Sequence, residues 1–297
     1  GFEVYLNSEK KKRDCMILFL SSTIPLIFSG FGQYWFDWNG PISIFNGLII
    51  WYQRPLGGNS GMTGFFNNPN YTGTWLIIII PFCIGLLREK LENIYSRIFL
   101  FVSLLCIYIS VVITNSRSAW GGMILAFLLM FFRKSKLLLY SFISLSFVIL
   151  IRFFSIFLNP EGGFLFSSII PQRILLQFSE AGYQTINPTR MDIWEKTLNL
   201  ILAKPIFGWG SGVFPFLSEK NLNLWIGHPH NLILEIAFSF GLLITIILIS
   251  TVILILFKSI KFIYSEKNEN QNNINKAWLV ASLVILISQM LDLQYFD

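Results

Sequence analysis

Asn231-Leu-Ile-Leu-Glu-Ile-Ala-Phe-Ser-Phe-Gly-Leu-Leu-Ile-Thr-Ile-Ile-Leu-Ile-Ser-Thr-Val-Ile-Leu-Ile-Leu-Phe257 carries a single charge, Glu235. A helix crosses the hydrocarbon of a bilayer in about 20 apolar residues, so this stretch is long enough to span it. Working outward, six more apolar runs fit the same reading: Cys15–Phe31, Tyr71–Leu87, Ile98–Thr114, Ala119–Phe132, Leu137–Ile151 and Ala277–Leu291. The shorter ones need flanking residues to complete a crossing. The expected fold class is an all-α polytopic membrane protein with about seven transmembrane helices. Ile42–Tyr52 is too short to span and is bracketed by Trp35, Trp38 and Trp51. Such aromatics mark the membrane interface, so a helix lying along the surface, or a re-entrant piece, is expected there.

Composition agrees. The 297 residues are 54% hydrophobic and 13% charged, against about 25% charged in soluble domains. A water-soluble enzyme, a nucleic-acid module and a disordered tail are thereby set aside. The net charge of +6 sits beside apolar runs and reads as membrane topology rather than polyanion binding. Cys15, Cys83 and Cys106 all lie in apolar stretches, with no spacing for a metal or a disulfide framework. No internal repeat is found. The first residue is Gly and the last are LDLQYFD, so residues 1–297 are expected to be a single transmembrane domain truncated at its N-terminus.

Orientation follows from the basic residues. Lys10, Lys11, Lys12 and Arg13 precede the first span; Arg88, Lys90 and Arg97 follow the second. Arg133, Lys134 and Lys136 follow the fourth, and Lys258, Lys261, Lys267 and Lys276 follow the sixth. These segments hold 14 of the 22 Lys and Arg residues and alternate with the other side at each crossing. The positive-inside rule places them in the cytoplasm. The tract Ser265–Lys276 is expected to be a solvated cytoplasmic loop.

The chain then spends residues 152–230 on the external face. A structureless loop of that length is uncommon and usually functional. Within it, Asn187 is a candidate cap, Pro188 suits a first turn, and Asp192 and Glu195 favour a helix N-terminus. Ile193, Trp194, Thr197, Leu198 and Ile201 recur at helical spacing, and Lys204-Pro205 ends the pattern. A short amphipathic helix on the outer membrane surface is expected, followed by a flexible Gly208-Trp209-Gly210-Ser211-Gly212 turn.

Chemistry concentrates in a few places. His228 and His230, the only histidines, fall in Gly227-His228-Pro229-His230-Asn231 at the outer mouth of the sixth span. They read either as a helix cap facing water or as a site. For the site, Pro229 suits a first helical turn, and His230 and Asn231 then lie where unpaired backbone N–H groups attract anions. Glu235 lies one turn deeper on the same face, and an ionisable residue in an apolar span is a functional candidate. In Thr114-Asn115-Ser116-Arg117-Ser118, a very short external turn holds Arg117 at the membrane boundary. It reads as a snorkelling arginine or as a phosphate ligand beside a helix that Ser116 caps. Arg190, at another helix start, reads as a surface ion pair with Asp192 or Glu195, or as the same device. Phe66-Asn67-Asn68-Pro69-Asn70-Tyr71 is a turn former with a structural role favoured. No zinc motif, phosphate-binding loop or dinucleotide fingerprint is present.

FNNPNYTGTWL, TNSRSAWGG, TRMDIWEKTLNLILAKPIFGWGSGVF and GHPHNLILEIAFSFGLL occur in that order, and together they resemble the O-antigen ligase and O-antigen polymerase superfamily from about Asn67 to Leu243. Its members are polytopic glycosyltransferases. The resemblance implies a glycan donor joined through a diphosphate to a polyprenol such as undecaprenol. It implies an acceptor hydroxyl on lipid A–core or on another glycan repeat, or on protein in related enzymes. Neither metal nor nucleotide cofactor is implied, and nucleic acid is no partner. The site would face the periplasm or exterior of the cytoplasmic (inner) membrane. By the same resemblance Arg117, Arg190 and His230 are catalytic. The two arginines would clamp the diphosphate, and the histidine would act as general base, a task to which imidazole's ordinary pKa of about 6.5 is suited. His228, Asn231 and Glu235 would be secondary. The alternative is a membrane transporter of a small anion such as bicarbonate, since proteins put forward as carbon transporters look similar over the same region. A transporter should carry polar groups near the middle of several spans, whereas here they gather at one face.

Overall fold

The computed structural model describes residues 8–56, 61–89, 93–131, 190–222, 225–265 and 269–291. The expected span Leu137–Ile151, the helix-start residues Asn187 and Pro188, and most of the 152–230 loop up to residue 189 lie outside the described residues. Those described are nearly all helical: α1 (Glu9–Phe36), α2 (Pro69–Leu87), α3 (Ile94–Ile113), α4 (Arg117–Phe131), α5 (Arg190–Ala203), α6 (Phe214–Leu222), α7 (Leu232–Ser265) and α8 (Glu269–Leu291). Among the described residues five helices are long and apolar enough to cross a membrane, namely α1, α2, α3, most of α7 (Leu232–Ile263) and Asn273–Met290 of α8; α4 is shorter. The all-α polytopic expectation is borne out, and five of the seven expected runs coincide with these helices.

The chain forms two compact units. The first draws on Gly1–Thr185 and Glu266–Ile285, the second on Ile186–Ser265 and Leu286–Asp297. In the first, α2 is the central helix. Leu76, Ile77, Ile79 and Ile80 are inaccessible and pack with Met16, Ile107, Met123 and Val284 from α1, α3, α4 and α8. Gly73 brings α2 close to Ala119 and Ser116 at the start of α4.

One end of this unit gathers basic residues expected on the cytoplasmic side. Lys12 Nζ donates to Asn275 Oδ1 at 2.7 Å, and Arg13 pairs with Glu89 at 3.3 Å. Arg88 Nη1 (2.7 Å) and Lys276 Nζ (3.1 Å) both donate to the Met130 carbonyl, satisfying an oxygen in the last turn of α4. Residues assigned to one side by counting charges thus meet in space. The expected solvated loop Ser265–Lys276 is corrected in part. From Glu269 onward it is helical, with Asn273 and Asn275 buried, and Asn275 takes a polar partner, Lys12, from α1.

The second correction concerns Ile42–Tyr52. It is neither a helix nor a re-entrant piece but an antiparallel hairpin, β1 (Gly40–Ile44) with β2 (Ile49–Gln53), pairing Gly40 with Gln53 and Ile44 with Ile49. β-branched Ile42, Ile44, Ile49 and Ile50 suit strands. Phe45, Asn46 and Gly47 all take positive φ in the connection, and Asn-Gly is the strongest short hairpin signal. The hairpin is clipped to α1 by buried amides. Gln53 Nε2 donates to the Ser29 carbonyl (3.1 Å), and Ser29 Oγ donates to Gln53 Oε1 (2.8 Å). Gln33 donates to Thr63 Oγ1 and the Arg54 carbonyl, and accepts from the backbone N–H of Thr63 and Gly64. Every polar atom of that side chain has a partner, as burial demands.

In the second unit, α5 packs on the first turns of α7. Ile193, Ile201, Phe214, Ala237 and Phe238 form its buried cluster. The helical spacing expected of α5 holds: Ile193, Thr197 and Ile201 are buried along one face while Leu198 is exposed.

Candidate functional site

The first group of candidate residues lies between α3 and α4. Thr114 Oγ1 donates to the Val111 carbonyl (2.7 Å) and accepts from Ser116 N–H (3.3 Å), closing the end of α3. Asn115 turns the chain with φ 56, a left-handed conformation that Asn tolerates better than most residues. Ser116 Oγ accepts from Ala119 N–H at 3.4 Å, so it caps α4 as expected. Met62 N–H donates to the Ile113 carbonyl (2.9 Å), fastening the segment before α2 to this turn. Arg117 therefore stands exposed on a turn with little freedom. Because Gly73 lies near Ala119 and Ser116, the N-termini of α2 and α4 are neighbours, and both present positive dipole ends.

Asn115 itself is an anomaly. It is only 8% exposed, and neither Nδ2 nor Oδ1 has a hydrogen-bond partner. An amide buried in that state costs on the order of 1–3 kcal/mol for each unmet group.

The neighbouring Asn67-Asn68-Pro69 sequence is structural, as favoured above. Asn67, at φ 54, accepts from Arg54 N–H (3.0 Å) and donates to the Tyr52 carbonyl (2.6 Å), zipping the end of β2 to α2. Asn68 Oδ1 accepts from Asn70 N–H (2.9 Å) and caps α2, with Pro69 as its first residue.

The second group lies wholly in the other unit. Arg190 opens α5 and is exposed. One turn on, Trp194 Nε1 donates to the Pro229 carbonyl at 2.9 Å. That bond fastens the start of α5 to the segment between the two histidines, so Arg190, His228 and His230 belong to one locality. His228 is 2% exposed. Its Nδ1 accepts from His230 N–H at 3.1 Å. The imidazoles meet edge to face, centroids 4.4 Å apart. His230 has φ 54 and is half-buried. Left-handed backbone at a non-glycine residue costs about 1–3 kcal/mol and clusters at functional sites.

Asn231 is the cap of α7. Its Oδ1 accepts from Leu234 N–H (3.1 Å), and its Nδ2 donates to the Met290 carbonyl of α8 (2.9 Å). Pro229 therefore lies two residues before the cap instead of occupying the first turn, a correction to the expected start of α7. Glu235 lies one turn deeper as expected, with its N–H on the Asn231 carbonyl (3.0 Å). It is 4% exposed; Oε1 accepts from Ser239 Oγ (2.8 Å), while Oε2 is buried without a hydrogen-bond partner.

The expected flexible Gly208–Gly212 turn is corrected. Gly241 sits inside α7 at φ 84 and ψ 170, breaking the helix ladder. Trp209 N–H donates to the Phe238 carbonyl (2.8 Å), Gly210 N–H to the Ser239 carbonyl (3.0 Å), and Leu242 N–H to the Pro205 carbonyl (2.7 Å). The backbone groups freed by the break are thus taken up by the loop. Gly208 has φ 67, and a side chain there would meet the Phe238 carbonyl at 2.5 Å. Lys204 covers the Trp209 ring at 4.1 Å.

Sequence reasoning missed Trp194 as a clamp, Ser239 as the Glu235 partner, and the unsatisfied Asn115 amide. By spacing alone Trp194 is one more apolar helix position. Among the described residues no group of three or more His, Cys, Asp or Glu is placed to hold a metal ion.

Comparison with known proteins adds two findings. A family model described as O-Antigen ligase matches residues 101–249. A ComP-specific O-oligosaccharyltransferase of Acinetobacter baylyi is 30% identical in an alignment 221 residues long that covers 68% of this chain and 37% of that protein. The chain thus spans little more than a third of the curated relative it matches.

Proposed function

Because the chain belongs to the O-antigen ligase family, we propose that it is a membrane enzyme moving a glycan from a polyprenyl diphosphate to an acceptor hydroxyl at the outer face of the cytoplasmic membrane. In this reading the hydroxyl oxygen attacks the anomeric carbon from the side opposite the diphosphate. The bond from that carbon to the diphosphate oxygen breaks, and configuration inverts. His230 takes the hydroxyl proton, and polyprenyl diphosphate leaves with the electron pair. Arg117 and Arg190 hold the diphosphate and offset the charge that grows on it. His228, through its bond to the His230 N–H, keeps the left-handed backbone that presents His230; Asn231 and Glu235 support the same turn of α7. No metal or other cofactor is assigned a role.

The observation that carries the reading is the Trp194–Pro229 bond. It joins a cationic helix start to a half-exposed imidazole, which are the two chemistries that departure of a diphosphate and activation of a hydroxyl require. Arg117, exposed on a braced turn beside two helix N-termini, supports the same chemistry from the first unit.

The A. baylyi relative, named as an O-oligosaccharyltransferase, favours a second reading of the acceptor alone. That hydroxyl would belong to a protein side chain and not to lipid A–core or a glycan repeat.

Arg117→Ala and His230→Ala are each expected to lower glycan transfer by about 100-fold or more while leaving membrane insertion unchanged. Transfer is measured from a polyprenyl diphosphate-linked glycan in proteoliposomes, and acceptor mass separates protein from glycan products. Normal transfer by both variants would dismiss the assignment.

A further inference from the structure

We propose that the Asn115 amide is a ligand of the donor, reading the junction between the first sugar and the diphosphate. This rests on the glycosyl-transfer reading above and adds a residue to it. Asn115 immediately precedes the cap of α4, is more than nine-tenths buried, and leaves both amide atoms without a partner. Arg117, two residues on, is exposed, so the amide shares its turn with a cationic side chain and lies near the N-termini of two helices.

The chemistry of the missing partner can be read from the amide. Nδ2 is a donor and Oδ1 an acceptor. A bare phosphate supplies acceptors only and would leave Oδ1 unmet. A sugar phosphate supplies both, a phosphate oxygen for Nδ2 and a ring hydroxyl for Oδ1. Polar groups buried without partners in a native fold call for such an explanation.

A competing account is that Asn stands at 115 only because φ is 56 there. Two substitutions separate the accounts. Asn115→Gly keeps the left-handed backbone at no steric cost and removes the amide. Asn115→Asp keeps the backbone preference and the shape but replaces the donor with a carboxylate.

The test measures binding of undecaprenyl diphosphate carrying one N-acetylglucosamine, and of undecaprenyl diphosphate without sugar, to the full chain in detergent. Asn115→Gly should unfold at the same temperature as the parent or higher, since an unmet buried amide is gone. It should bind the sugar-bearing probe about tenfold more weakly, or about 1.4 kcal/mol, and the sugar-free probe with a smaller loss. Asn115→Asp should bind both more weakly still, because its charge opposes the phosphates.

Parent-like affinity of Asn115→Gly, with Arg117→Ala defective, overturns this inference and leaves the enzymatic reading standing. If Asn115→Gly does not fold, parent-like affinity of Asn115→Asp does the same. Failure of the parent protein to bind either probe overturns both.

Discussion

Glu89, just beyond α2, is a carboxylate in surroundings that oppose its charge. Burial pushes its pKa above the ordinary value, Arg13 at 3.3 Å pulls it back, and Glu9 adds to the rise. The sign for stability is set by proton uptake. The folded state binds this proton more readily than the unfolded one, so stability falls as pH rises through the carboxylate range and is regained on acidification. Glu89→Gln should therefore melt at a higher temperature than the parent at pH 7, with the difference vanishing near pH 4; a lower melting temperature at pH 7 would show that the Arg13 pair dominates. At this scale the candidate site was partly legible. Arg117, Arg190, His230, Asn231 and Glu235 stand out because charged, capping and imidazole groups are rare beside apolar runs. The orphaned amide of Asn115 was not, because burial and missing partners arise only when Gly61, Met62 and α2 close around the turn.

Helix α7 is the element whose details depart most from its sequence pattern. Its apolar run reads as one uninterrupted helix, yet Gly241 takes φ 84 and breaks it. Gly241→Ala would force a side chain into that conformation and against the Ile206 carbonyl. A loss of about 1–3 kcal/mol is expected for the strain alone, seen as a lower melting temperature with the Arg190–His230 unit opening first in hydrogen exchange. Asn231→Ala removes a helix cap worth about 1 kcal/mol and should cost less than Gly241→Ala. The hairpin departs from its pattern for a related reason. Its short apolar run beside Trp35, Trp38 and Trp51 reads as an interface segment, while the Asn46-Gly47 turn between its strands marks a hairpin. The docking of 205–210 had no local signal, because its partners lie some 30 residues further along the chain.

Across the whole molecule, hydropathy made the spans legible because a bilayer admits few ways to satisfy buried backbone. Charge counting assigned their sides, and Arg88, Lys276, Lys12 and Asn275 then meet at one end of the first unit. In a chain whose Cys15, Cys83 and Cys106 are replaced by serine, a cysteine at exposed Asn39 should react with an impermeant maleimide added to intact cells. A cysteine at exposed Ser96 should react only after permeabilisation. The opposite pattern would invert the topology and move the proposed site to the cytosol. The stitch across the break in α7 has a consequence for how this architecture diverges. It is made of main-chain atoms, so most positions from Pro205 to Gly210 can drift during evolution while the joint persists. Glycines 208, 210 and 241 are tied to it by their positive φ, and a lineage that keeps those three can rewrite the rest of the joint without losing the architecture.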